Sequence, residues 1–223
     1  MSFETVYNVD MTCESCVDSV KKALGEVPGL ERFDIDLNKK LVSVTGIAAP
    51  STIIQAIQDT GREAIIRGTG KPNSAAVAIL ETFRGEAEPV KGLARMVSIG
   101  DNKLLVDITL SGLPTGTYKP SFRASGNISK GALTTGDSLF KFEDVKVDQT
   151  GSGQSFQSAP MNVADLIGRS FVVVEEKQEL KDALAGVIAR SAGVWENDKQ
   201  VCSCSGKTVW QERQDAHAHG LKV

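Results

Sequence analysis

The chain has 223 residues, 41% of them hydrophobic and 24% charged, enough for one large domain or two small ones with a buried core. A formal net charge of -3, with the Lys and Arg residues dispersed, excludes the concentrated basic surface of a nucleic-acid binder. The amino end, Met1-Ser-Phe-Glu-Thr-Val-Tyr-Asn8, lacks the basic and apolar regions of a signal peptide, and the apolar run 75–80 is too short to span a bilayer. An intracellular location is therefore expected, cytoplasmic, with the mitochondrial intermembrane space as a further candidate.

Residues 5–9 alternate as a short strand does, and the loop 10–15 leads into helical spacing over 16–24, with Cys16, Val20, Ala23 and Leu24 on one face. Gly25 and Pro28-Gly29 stop that helix. Phe33, Ile35 and Leu37 alternate, Asn38-Lys-Lys40 reads as a turn, and Leu41, Val42 and Val44 complete a hairpin. Pro50-Ser51 opens a second helix carrying Ile53, Ile54, Ala56 and Ile57, Gly61 closes it, and 64–66 make a last strand. The order βαββαβ predicts a ferredoxin-like unit over residues 1–68.

Cysteine occurs at four positions, Cys13 and Cys16 near one end and Cys202 and Cys204 near the other. In a reducing compartment closely spaced pairs are metal-binding or catalytic more often than structural. Two soft donors held together suit Cu(I), or alternatively a reversible disulfide. Cys16 falls at a helix amino terminus, where the dipole favours thiolate, the metal-binding form.

The segment Met11-Thr-Cys-Glu-Ser-Cys16 in a βαββαβ unit resembles the heavy-metal-associated domains of copper chaperones and copper-pumping ATPases. The resemblance implies Cu(I) held by Cys13 and Cys16, with Met11 as core beneath the loop. Gly61-Arg62 falls where soluble chaperones of that family carry Gly-Lys, so Arg62 is expected either to offset the charge of a bis-thiolate copper site or to be a solvated surface cation. A thioredoxin-like redox pair is the competing reading, but Thr12 stands where such motifs usually carry an aromatic residue.

Residues 69–74 have the Gly, Pro and small polar content of a linker. From there to 190, β-rich runs at 75–82, 90–99, 103–110, 117–124, 140–142 and 170–174, separated by turn residues, predict an antiparallel sandwich or barrel, with 148–158 as a long surface loop. Val77-Ala-Ile-Leu80, Gly92-Leu-Ala-Arg95, Ser111-Gly-Leu-Pro-Thr-Gly116, Leu166-Ile-Gly-Arg-Ser-Phe-Val-Val-Val174 and Leu184-Ala-Gly-Val-Ile188 together resemble Cu,Zn superoxide dismutase, implying a Greek-key fold. The dismutase metal ligands are missing: Ser121, Arg123 and Val173-Val174 stand at ligand positions, and the two histidines of the chain, His217 and His219, lie in the tail. Ala185 stands beside Gly186 where the family's second disulfide cysteine would be. No dismutase activity is expected, since that chemistry requires imidazoles to hold and cycle copper. The family's dimer surface corresponds to Gly186, Val187, Ile188 and Arg190, so the unit is expected to pair with a dismutase subunit as a heterodimer, or with itself.

In residues 191–223, Val201-Cys-Ser-Cys-Ser-Gly206 has the small-residue context of a flexible segment, and 208–216 read as a short helix. Cys202 and Cys204 are candidate metal ligands and thiol-exchange residues. A heavy-metal-associated domain, a dismutase-like domain without ligands and a C-x-C tail together resemble the copper chaperones of superoxide dismutase, in their fungal form. The resemblance implies a metallochaperone that binds Cu(I), delivers it to an immature dismutase and promotes the client's disulfide through the tail. A thiol-disulfide oxidoreductase and a copper buffer without a specific client are the alternatives.

Overall fold

A computed structural model describes residues 1–87, 90–197 and 205–218, the last three of these by backbone alone. Its first unit contains β1 (Phe3–Val9), α1 (Glu14–Gly25), β2 (Leu30–Asp36), β3 (Leu41–Gly46), α2 (Pro50–Gln58) and β4 (Ala64–Thr69), with the antiparallel sheet in the order β2-β3-β1-β4. On α1, Cys16, Val20 and Leu24 recur every fourth residue and bury one face; Ile53 and Ile57 do the same on α2. Both stripes pack with Tyr7, Val9, Val42 and Val44 of the sheet. Pro50 at the start of α2 costs the helix no hydrogen bond, because the first-turn N–H groups have no intrahelical acceptor. Gly61, at φ +78°, then turns the chain out of the helix toward β4.

The second unit is built from β5 (Ala75–Glu81), β6 (Val90–Ser98), β7 (Leu104–Leu110), β8 (Gly116–Arg123), β9 (Ser129–Ala132), β10 (Ser138–Lys141), β11 (Val145–Val147), β12 (Gly153–Ala159), a single turn α3 (Val163–Leu166), β13 (Ser170–Glu175), β14 (Leu184–Val187) and β15 (Ala189–Arg190). The sheet runs β10-β8-β13-β14-β5-β6-β7-β12 with every pairing antiparallel, and the non-consecutive neighbours β7/β12, β8/β13 and β14/β5 are its Greek-key crossovers. β11 pairs with β8 and packs against β12, which nearly closes the sheet into a barrel. Inside it, Phe122 meets Phe142 and Phe171 edge-on, with centroids 5.0 and 5.3 Å apart, among Leu80, Met96, Ile108 and Leu166.

The polar run expected to be a loop over 148–158 is half strand. Gly153–Ala159 pairs along its whole length with β7, from Gly153 opposite Leu110 to Ala159 opposite Leu104. Its sequence, Gly-Gln-Ser-Phe-Gln-Ser-Ala, has no β-branched residue and one strand-favouring aromatic, Phe156, so propensity gives only a weak signal there. The backbone ladder of β7 and the burial of Ala159 hold it instead.

The two units pack against each other. Phe3 of β1 is buried with Val97, Ile99 and Leu105 of the barrel, and Phe156 of β12 lies against them. After β15 the chain returns to the first unit: Thr69 N–H donates to Ala192 O at 3.0 Å, and Val194 N–H to Gly70 O at 2.9 Å, so residues 192–194 cover the carboxyl end of β4 on its free side. Arg67 donates to the carbonyl of Asn197. The tail helix α4 (Val209–Ala218) brings Arg213 within 3.7 Å of Glu63. No described helix is long and apolar enough to cross a membrane.

Candidate metal centre

β1 ends at Val9, and the chain passes through Met11, fully buried in the core under the loop, to reach Cys13. Cys13 is the cap residue of α1, extended at φ -157° and ψ 169°, and its carbonyl accepts the N–H of Cys16 at 3.0 Å and of Val17 at 3.3 Å. That turn brings the two side chains together. The Cys13 and Cys16 sulfurs are 3.4 Å apart and not bonded to each other, Cys13 exposed and Cys16 buried. Ser15 Oγ lies 3.0 Å from the Cys13 sulfur and Thr12 Oγ1 3.7 Å from that of Cys16.

The Cys16 thiol is held down to about pKa 6. The largest cause is a hydrogen bond from the Thr12 backbone N–H, followed by the Arg62 guanidinium, then the Cys13 and Thr12 side chains, with burial opposing them. Arg62 is kept in place by donating from Nη1 to Thr60 O at 2.5 Å. It therefore faces the sulfur pair, which favours the charge-offset expectation over a solvated cation. At neutral pH the Cys16 sulfur is mostly thiolate, beside the exposed sulfur of Cys13 at the open mouth of the loop, a donor set suited to a soft, low-coordinate cation. Thr12 and Ser15 are contributors that sequence reasoning passed over, although their place inside the C-x-x-C loop was signal enough.

The other expected site residues fall elsewhere. Cys202, Cys204 and His219 lie outside the described residues, as does the side chain of His217. Gly186 and Ile188 are buried, Val187 is 38% exposed, and exposed Arg190 donates to Asn73 Oδ1 at 2.7 Å. The apolar surface near Val187 is carried largely by residues not singled out from sequence: Ile79 on β5 at 51% exposure, Phe83 at 40% and Leu133 at 57%, with Phe83 lying against Gly131. At the dismutase ligand positions Ser121 and Val173 are buried, while Arg123 donates to Thr135 Oγ1 at 3.2 Å and to the carbonyl of Gly136. Among the described residues no three His, Cys, Asp or Glu side chains gather into a metal cluster.

Residues 6–63 match the family model of the heavy-metal-associated domain. The whole chain is 53% identical to a Debaryomyces hansenii protein named superoxide dismutase 1 copper chaperone, over 99% of this chain and 98% of that protein. The chain belongs to the superoxide dismutase copper chaperone family. Within this family it is 46% identical to the Saccharomyces cerevisiae superoxide dismutase 1 copper chaperone, over 99% of this chain and 98% of the other. It is 31% identical to the Sus scrofa copper chaperone for superoxide dismutase, over 93% of this chain and 88% of the other, so the resemblance is stronger on the fungal side. A solved apo heavy-metal-associated domain of a copper chaperone for superoxide dismutase aligns at 31% identity and a TM-score of 0.31, over 32% of this chain and 72% of that one.

Proposed function

We propose that this protein takes up Cu(I) at Cys13 and Cys16 and delivers it to a superoxide dismutase subunit docked on the barrel. The observation that carries the reading is the sulfur pair 3.4 Å apart with one thiol lowered to about pKa 6, in a chain alike end to end to proteins named for copper delivery to that enzyme. Thiolates suit Cu(I) because both are soft, and a site open at Cys13 lets an incoming ligand attack before the old one leaves. The client seats on the surface of Ile79, Phe83, Leu133 and Val187, with Arg190 at its margin, as a heterodimer that replaces a homodimer on the same patch. Apolar side chains at this exposure in one neighbourhood suit a partner surface.

Cys202 and Cys204 complete the transfer by thiol exchange. Starting from a tail disulfide, a client thiolate attacks one tail sulfur and displaces the other as thiolate. A second client thiolate then resolves the mixed disulfide, so the client loses the two electrons that the tail gains. The free thiols of Cys13 and Cys16 suit a reducing, intracellular compartment.

Incubating the copper-loaded protein with metal-free, disulfide-free dismutase tests the reading, with client activity, client copper and client disulfide followed together. Cys13→Ser is expected to abolish copper transfer, and a Cys202→Ser, Cys204→Ser double variant to load copper normally but leave the client inactive. Full activation by both variants would sink the assignment.

A further inference from the structure

Among the described residues Asp107 is the only buried acidic side chain, 1% exposed, and it belongs to no part of the metal centre. It stands on β7 opposite Arg95 of β6, whose guanidinium lies 3.7 Å away. Its other partner is in the first unit: the carboxylate accepts the Ser51 N–H at 2.9 Å and the Ser51 hydroxyl at 2.5 Å. Ser51 is the second residue of α2, where backbone N–H groups lack intrahelical acceptors and the helix dipole is positive. Helix caps ordinarily come from the residue just before the helix. Here Ala49 occupies that place, offers no side-chain bond, and the cap comes from the other domain.

Other groups converge on the same point. The Gln154 amide of β12 donates to the Ser51 hydroxyl, giving a chain from Gln154 through Ser51 to Asp107, and also reaches Thr52 Oγ1 at 3.3 Å. The Tyr7 ring is fully buried nearby, and Arg213 of the tail helix lines the same cavity of about 390 Å³ between the units as Ser51, Arg95 and Asp107.

Apolar packing such as that of Phe3 on Val97 and Leu105 favours contact but tolerates sliding. A hydrogen-bonded pin does not, because displacement strips the buried Asp107 carboxylate of both Ser51 hydrogen bonds and leaves it only Arg95 of its own unit. α2 runs from this pin for about 14 Å to the turn that sets Arg62 beside Cys16, so fixing its start fixes where the sulfurs face.

We propose that Asp107 is a positioning residue that, through Ser51, sets the angle at which the metal-binding unit is presented over the barrel. The angle governs copper delivery without governing copper affinity. This rests on the delivery reading above, and the test separates the two. Residual dipolar couplings of the full-length protein are expected to fit one alignment tensor for both units. In Asp107→Asn they are expected to need two, with the ratio of undocked to docked forms up about tenfold or more. Competition with a Cu(I) chelator should give unchanged affinity in that variant, while the initial rate of dismutase activation falls about tenfold. Should Asp107→Asn fail to fold around the uncompensated Arg95, Ser51→Ala leaves the Asp107–Arg95 pair intact and is expected to shift couplings and rate in the same direction by a smaller amount. A single tensor persisting in the folded variants overturns the pin, and two tensors with an unchanged activation rate overturn its role in delivery. Wild-type protein that activates no dismutase overturns delivery itself, while the couplings still decide the pin.

Discussion

Arg62 reaches Cys16 because Gly61 turns the chain at the end of α2 and because Thr60 O holds the guanidinium in the turn. The sign of its effect follows from charge: a cation beside the sulfur stabilises thiolate, so the proton leaves at lower pH. Below about pH 6 a proton competes with copper for Cys16, and as pH rises past that value the competition fades. Ultraviolet thiolate absorbance of the metal-free protein should show a step near pH 6 that is absent in Cys16→Ser. Arg62→Met should move the step upward, toward the ordinary thiol value of about 8.5. An unmoved step would remove Arg62 from the site. Cys13→Ser is expected to cost orders of magnitude in Cu(I) affinity by chelator competition but less than about 0.5 kcal/mol of stability, since Cys13 is exposed and packs against nothing that folding needs.

The two strands β14 and β5 approach closely at Gly186, where an added Cβ would run into the backbone carbonyl of Ile79 inside van der Waals contact. Gly186→Ala is expected to destabilise the barrel by about 2–3 kcal/mol, read as a lower denaturant midpoint. Val187→Glu, at a half-exposed position one residue on, should leave the midpoint nearly unchanged while weakening client pairing in a pull-down or sedimentation experiment. The contrast separates a residue that builds the surface from one that forms it. Elements of this kind differ in how far sequence betrays them. The first unit was legible throughout, because Cys16, Val20 and Leu24 keep helical period and the strands alternate. β12 was not, because a lone Phe156 among Gln, Ser and Gly is a weak strand signal and its pairing is decided by β7, across more than forty residues of intervening chain. The Asp107–Ser51 bond was equally invisible: each residue looks like an ordinary polar position until two separately readable domains are brought together.

At the scale of the whole molecule, three sequence regions are one assembly, in which the chain returns from the barrel to complete the metal-binding unit. Removing residues 191–223 is expected to accelerate hydrogen exchange at the Thr69 amide, which donates to Ala192 O, while the β1–β3 ladder around Tyr7 keeps its protection. Mass-spectrometric exchange resolves the two, and equal protection of Thr69 with and without the tail would show that residues 192–194 add nothing to the sheet. That return has a consequence in time. The metal-binding unit leaves the ribosome before the barrel, so β4 stands with a bare edge while the barrel is still being made, and such edges recruit other strands. Residues 192–194, which bond to its carboxyl end, emerge only after every strand of the barrel, so the nascent chain carries an open edge while the barrel is synthesised, and their arrival ends this vulnerable interval.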